Sequence, residues 1–273
     1  MKKYLIIGKP ISHSLSPTLH NHWFEKYKVD ADYKTLEIDK RNIAGVIKKI
    51  REKEISGINI TLPYKQEVIP FLDKLVNYAK ETNSVNTVYL NSENLVVGDN
   101  TDVFGLQAGY FNQVIREKKV KQKVLILGAG GVAPSVILAL NKSNVEEICL
   151  INRTYEKAIF LKKSFQNIKI DKWENIPSII KNFDIIINAT SLGLKNGEEF
   201  NFALNNYKKS MTYIDTIYNP IETKMIKQLK ADGIKTFNGL NMFLYQGQKS
   251  FYLWNKINPE INDDLIELLK SKL

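Results

Sequence analysis

A chain of 273 residues, 44% hydrophobic and carrying a net charge of +10, can build one large domain or two of ordinary size around a real core. Its apolar runs fall short of the ~18 residues of a membrane span, the opening Met-Lys-Lys-Tyr leads into a strand too short for a signal-peptide core, and the one cysteine, Cys149, cannot form an internal disulfide, so a cytoplasmic protein is expected. The lysines are interleaved with acids without a recognition-helix, zinc or RNP-like pattern, and the densest run, 118–123, reads as a solvated connector; nucleic acid is not an expected partner, though the charge can steer anionic ligands.

Residues 3–7 read as a strand. Ser16-Pro17 then predicts a helix start, with serine as the cap and proline at the first helical position, and Leu19, His20, Trp23, Phe24 and Tyr27 continue it at helical spacing. Ser14 and Ser16 thus set two hydroxyls beside a helix N-terminus, suited either to plain capping or to a carboxylate ligand. No metal site is expected, because His20 and His22 face different sides of the helix and no cysteine or carboxylate cluster joins them. His13 stays open as an acid–base group.

A strand over 33–38 and a helix over 43–52 come next. In the strand that follows Gly57, Asn59 and Thr61 share one face and Ile58 and Ile60 the other. Pro63 is expected to open a helix with Lys65 in its first turn, a place where the dipole disfavours a cation, so Lys65 is either solvated or in use. Residues 84–90 and 94–97 predict a hairpin. Gly-Asp-Asn-Thr-Asp (98–102) leads into a helix from about 103 to 117, with Asp102 at its N-terminus, either as a cap or as a working carboxylate.

The second half opens on an apolar strand, 124–127, running into Gly128, Ala129, Gly130, Gly131, Val132 and Ala133, after which Val136, Ile137 and Leu140 recur at helical spacing. Strand, glycine turn and helix form the context in which such a match predicts a dinucleotide pyrophosphate on the helix N-terminus. The next strand, 147–151, ends in Asn152, Arg153 and Thr154, with Lys157 one turn on. An NAD site wants an acid there; these groups suit a 2′-phosphate, so NADP is expected, the alternative being a glycine turn with no dinucleotide. Strands over 184–188, 211–217 and 234–237 alternate with helices over 155–165 and 221–231, predicting a doubly wound parallel sheet whose ligands lie at the carboxyl ends of the strands. The chain is then helical from 239 to about 257 and again over 261–269, with Met242 and Gln246 on a shared face.

Taken together, Ser-His-Ser-Leu-Ser-Pro (12–17), Asn-Ile-Thr-Leu-Pro-Tyr-Lys (59–65), Val-Asn-Thr (85–87), Gly-Asp-Asn-Thr-Asp (98–102), Gly-Ala-Gly-Gly (128–131), Asn-Arg-Thr (152–154), Asn-Ala-Thr-Ser (188–191), Tyr-Asn-Pro (218–220) and Gly-Leu-Asn-Met with Gln246 resemble the shikimate dehydrogenase family along essentially the whole chain. The resemblance implies an α/β protein of two domains. An N-terminal substrate domain with a mixed sheet would cover 1–102 and be completed by helices in 240–273; a Rossmann-like NADP domain would cover 103–239. It implies the NADP-dependent, reversible reduction of 3-dehydroshikimate to shikimate on the way to chorismate and the aromatic amino acids.

By matching positions, the resemblance implies Lys65 as the catalytic acid–base group, paired with Asp102. Ser14 and Ser16 would hold the substrate carboxylate, with Asn59, Thr61, Asn86, Asp102 and Gln246 on its hydroxyls and Tyr218 beside it. Residues 128–133 would take the pyrophosphate, Asn152, Arg153, Thr154 and Lys157 the adenosine end, and Thr190, Gly239 and Met242 the nicotinamide end. Asn83-Ser84 departs from the usual Gly-Ala, and Pro134 removes an N–H from the first helical turn. The rival readings are an NAD-dependent quinate/shikimate dehydrogenase and a regulator that binds shikimate or NADP without catalysis. A monomer or homodimer is expected.

Overall fold

The computed structural model describes residues 1–115, 120–194, 197–201 and 204–273; the expected helix end at 116–117 and the start of the lysine run at 118–119 lie outside the described residues. The chain divides into two compact units, Met1–Gly105 with Leu244–Lys272, and Leu106–Phe243. Both divisions fall a few residues past 102 and 239. The second falls inside the Leu240–Asn255 helix because its first turn is tied to the Leu106–Phe243 unit, where the Met242 N–H donates to the Tyr110 hydroxyl at 3.1 Å. Among the described residues no helix is long and apolar enough to cross a membrane.

The first unit is a six-stranded mixed sheet built from β1 (Lys2–Gly8), β2 (Ala31–Glu37), β3 (Gly57–Ile60), β4 (Lys74–Leu75), β5 (Thr87–Leu90) and β6 (Val96–Asp99), in the order β2-β1-β3-β5-β6-β4. β1 pairs parallel with β2 and β3, and β5 pairs antiparallel with β3 and β6, the latter through the predicted hairpin. Alternation along the strands separates two cores. Ile7, Ile58 and Ile60 pack with Ile43, Val46, Ile47 and Ile50 of the Ile43–Arg51 helix. Elsewhere in the unit Tyr4, His20, Trp23, Phe24, Tyr33, Phe251 and Trp254 form a connected set of ring contacts.

His20 lies at the centre of that aromatic set, fully buried and stacked on Tyr33 with ring centroids 4.5 Å apart, and neither ring nitrogen has a hydrogen-bond partner. Burial pushes its pKa down from 6.5 to about 3. Its protonation therefore favours the unfolded chain, which binds the extra proton between about pH 3 and 6.5, so this contribution to stability is full above pH 6.5 and is lost as pH falls. At ~1.36 kcal/mol per pH unit once the unfolded imidazole is protonated, His20→Phe is expected to lose about 2 kcal/mol less than the parent chain between pH 6.5 and 4.5 in urea titrations. Equal losses would remove His20 as the cause.

Three local expectations differ from the structure. The first helix, Ser16–Lys26, includes Ser16 as a helical residue, and it is Ser14 Oγ that accepts from the Ser16 N–H, at 3.3 Å. Lys65 is not in a helix: 62–68 is a run of turns held by isolated bonds such as Tyr64 N to Thr61 O and Val68 N to Tyr64 O, leading into a single 3-10 turn, Ile69–Phe71, that contains Pro70. The helix predicted over 103–117 runs as Asp102–Leu106, a π-helical stretch Gln107–Phe111, and Asn112–Val114. Asn83, where the related pattern carries glycine, has a left-handed φ of 47°, a conformation asparagine tolerates.

The second unit is an all-parallel sheet of β7 (Lys123–Leu127), β8 (Glu147–Ile151), β9 (Lys169–Asp171), β10 (Ile185–Asn188), β11 (Thr212–Asp215) and β12 (Lys235–Phe237), ordered β12-β11-β10-β7-β8-β9. β9 and the short helical turns over 173–182 carried too brief a pattern to be predicted. The order reverses between β7 and β10, the switch point at which sheets of this kind bind ligands. Cys149 is buried in β8 and its thiol is pushed up to about 12 by burial, a core residue.

Candidate active site

Within the first unit, chain reversals bring distant motifs together. The Lys65 carbonyl accepts from the Val85 N–H at 2.8 Å, Ile60 N–H donates to Asn86 O at 2.9 Å, and Asn86 N–H donates to Asp99 O at 3.1 Å. These bonds tie the exit of β3, the entry of β5 and the exit of β6 side by side. The Lys65 Nζ then meets Asp102 Oδ2 at 2.6 Å, with the side chains only 12% and 5% exposed. A charge pair this buried is costly to break, because either partner left alone is an uncompensated ion.

Asp102 is free for that pairing because another residue caps its helix. Asn100 Oδ1 accepts from the Asp102 N–H at 3.0 Å and from the Val103 N–H at 3.4 Å. Of the two roles open to Asp102, helix capping thus falls to Asn100. The second carboxylate oxygen, Oδ1, accepts from Asn86 Nδ2 at 2.8 Å, which also donates to Thr101 Oγ1 at 2.9 Å and lies 3.4 Å from Gln246 Oε1.

Asn59 has a different place from the one expected. Its Oδ1 accepts from the Tyr33 hydroxyl at 2.8 Å, and its Nδ2 faces Asn86 O, Thr87 Oγ1 and Ser250 Oγ at 3.0–3.1 Å. Both ends of the amide are committed to the protein in a buried position, so it positions the Asn86 segment rather than presenting itself to a ligand. Ser250, Thr87 and Thr101 complete this network, with Ser250 Oγ 2.8 Å from Thr87 Oγ1 and 3.2 Å from Thr101 Oγ1. Sequence reasoning missed Ser250; the available signal was its place one helical turn after Gln246, on the same face of the Leu240–Asn255 helix. Ser14, Ser16 and Thr61 stand at the exits of β1 and β3, with the Thr61 N–H donating to Ile7 O at 2.9 Å.

In the second unit the glycine turn leaves β7 as expected. Gly128 has φ +106°, and a Cβ there would fall 2.6 Å from Thr190 Cγ2 and 2.9 Å from the Ala189 backbone, so only glycine fits. Gly130 differs: an added Cβ would meet only Ala189 O at 3.7 Å. Space a side chain would fill is thus left over the loop beside the helix Ala133–Asn141, a cradle that fits a pyrophosphate.

Asn152 holds this turn, accepting from the Ala129 N–H at 2.9 Å and donating to Thr154 O at 2.7 Å. One N–H of the amide remains beyond these two bonds, and with the exposed side chains of Arg153, Thr154 and Lys157 it is available to the adenosine end of a dinucleotide. Across the switch point, Asn188 Oδ1 accepts from the Thr190 N–H and hydroxyl at 3.0 and 2.6 Å, and Asn188 Nδ2 donates to Asp215 Oδ1 at 3.0 Å.

Asp215, the lone acid ending an apolar strand, was also missed. It accepts from the Ile217 N–H and the Thr223 hydroxyl, both at 3.0 Å, and burial pushes its pKa up to about 7. It secures the loops after β10 and β11, where Thr190 and Tyr218 lie; Tyr218 packs on Phe243 with centroids 4.7 Å apart. Gly239 is pressed against this region, since a Cβ there would fall 2.3 Å from Thr216 O, and Met242 is buried one turn later.

Residues 6–88 match the shikimate dehydrogenase substrate binding domain, and residues 112–237 match shikimate / quinate 5-dehydrogenase. Shikimate dehydrogenase (NADP(+)) of Pelagibacter ubique is 48% identical over 270 residues, 98% of each chain. The crystal structure of shikimate dehydrogenase from Aquifex aeolicus superposes with a TM-score of 0.87 at 32% identity, covering 100% of this chain and 97% of that one. The shikimate 5-dehydrogenase of Thermus thermophilus, solved in complex with NADP(H) and shikimate, gives a TM-score of 0.88 at 28% identity with all of both chains covered. Similarity that runs through both units at this level has one explanation: the chain belongs to the shikimate dehydrogenase family.

Proposed function

We propose that this chain catalyses the reversible, NADP-dependent reduction of 3-dehydroshikimate to shikimate, supplying the route to chorismate and the aromatic amino acids, in the cytoplasm and as a monomer or homodimer. The observation that carries the reading is the buried Lys65–Asp102 pair at 2.6 Å, set among amides and hydroxyls in one unit. The unit of 1–105 and 244–272 takes the substrate and the unit of 106–243 the dinucleotide.

NADPH, when bound, supplies the hydride for the carbonyl carbon. Lys65 donates the proton to the carbonyl oxygen, since lysine side chains are ammonium ions at neutral pH. Asp102 fixes the ammonium in place and balances its charge. Ser14 and Ser16 bind the substrate carboxylate with their hydroxyls and the nearby helix N-terminus. Thr61, Asn86 and Gln246 take substrate hydroxyls, with Tyr218 beside the substrate; Asn86 does so by giving up one of its two Nδ2 bonds, to Asp102 or to Thr101. Gly128, Ala129, Gly130, Gly131, Val132 and Ala133 seat the pyrophosphate, Asn152, Arg153, Thr154 and Lys157 the adenosine end with its 2′-phosphate, and Thr190, Gly239 and Met242 the nicotinamide end.

Absorbance at the nicotinamide band, with shikimate or quinate crossed against NADP or NAD, tests the whole reading. Turnover is expected to be fastest with shikimate and NADP; no turnover with any pair removes the enzyme reading, and faster turnover with NAD favours the rival cofactor.

A further inference from the structure

We propose that Glu198 is a specificity-determining residue for the dinucleotide: its carboxylate holds the Arg153 guanidinium that a 2′-phosphate has to take over, and so narrows the preference for NADP over NAD. This rests on the assignment of Arg153 to the 2′-phosphate. In dinucleotide sites that select NAD, an acid near the end of the second strand accepts from the ribose 2′-hydroxyl. Residues 152–154 carry no acid, but the fold brings one in from another segment.

β10 and β8 flank β7 in the sheet, and the chain after β10 turns back so that the Gly193 N–H donates to Glu198 O at 2.8 Å. That closure sets Glu198 Oε2 3.0 Å from Arg153 Nη1. Asn152 is a neutral amide and Thr154 a neutral hydroxyl, so the cation among residues 152–154 is Arg153. Arg153 is therefore the planar, multidentate donor of this strand end, and Glu198 occupies it with an anion of its own. An incoming 2′-phosphate must displace that carboxylate and then stand near it, like charge against like charge. An unphosphorylated ribose meets neither cost, and its hydroxyl can donate to the carboxylate.

Because the side chains of both residues are about 70% exposed (68% and 71%), the pair is weak and the effect is a graded one. Relief of an exposed ion pair corresponds to about two- to fivefold in affinity.

Isothermal titration with 2′-phospho-ADP-ribose and with ADP-ribose, which report the adenosine end alone, tests this on the full chain. Glu198→Gln is expected to tighten the phosphorylated probe about two- to fivefold while ADP-ribose stays unchanged or weakens, with the gain shrinking as salt is raised. The gain should vanish in the Arg153→Ala background, which locates it in the pair. Equal shifts for both probes, or none, in Glu198→Gln would overturn the proposal while leaving the NADP reading standing. Undiminished binding of the phosphorylated probe by Arg153→Ala would instead overturn the assignment of Arg153, and the proposal with it.

Discussion

Lys65→Ala is expected to lower kcat for 3-dehydroshikimate reduction by about 10²- to 10⁴-fold, with KM changing far less. The proton donor acts only as charge develops on the carbonyl oxygen, so its loss falls on the transition state rather than on ground-state binding. Geometry supports this division of labour: the ammonium is fixed by a 2.6 Å bond to Asp102 and the Lys65 backbone is pinned to Val85. Steady-state kinetics decide the matter. A large rise in KM with kcat retained would make Lys65 a binding residue only.

Asp102→Ala should cost both activity and stability, and the two losses can be separated. Removing the carboxylate leaves the Lys65 ammonium, 12% exposed, without its partner, and takes the Oδ1 acceptor from Asn86. Breaking a buried pair on one side costs about 3 kcal/mol at the low end of measured cases, the end that suits a lysine with some exposure. Adding Lys65→Met to Asp102→Ala removes the stranded charge and should restore most of that stability without restoring turnover. Urea unfolding of the two single variants and the double variant reads this directly. A double variant no more stable than Asp102→Ala would mean that the cost lies in the Asn86 contact rather than in the ion pair.

The same residues show where reading the sequence reached its limit. Alternating apolar strands and helices identified the second unit, and the glycine turn after β7 fell where expected, because strand, turn and helix are adjacent in the chain and their signals are local. The hairpin of β5 and β6 was legible for the same reason. β9 was not, since three residues carry too little periodicity to stand out. Lys65 was assigned to a helix on the strength of Pro63, yet the segment before Pro70 closes as turns.

What the sequence alone determined is therefore the set of chemical groups and the elements that carry them: the serines after β1, Lys65, Asp102, the glycine turn and Arg153. Only the tertiary structure decided which of those groups are available. Asn100 takes the helix cap and releases Asp102 for Lys65. Asn59 is spent on Tyr33 and Ser250, Asn152 is tied to the glycine turn, and Arg153 is met by Glu198 from beyond β10. A polar side chain's identity is written in the sequence, but its hydrogen-bonding capacity is finite. Whether any is left for a ligand depends on partners brought near by chain reversal, and no local pattern records them.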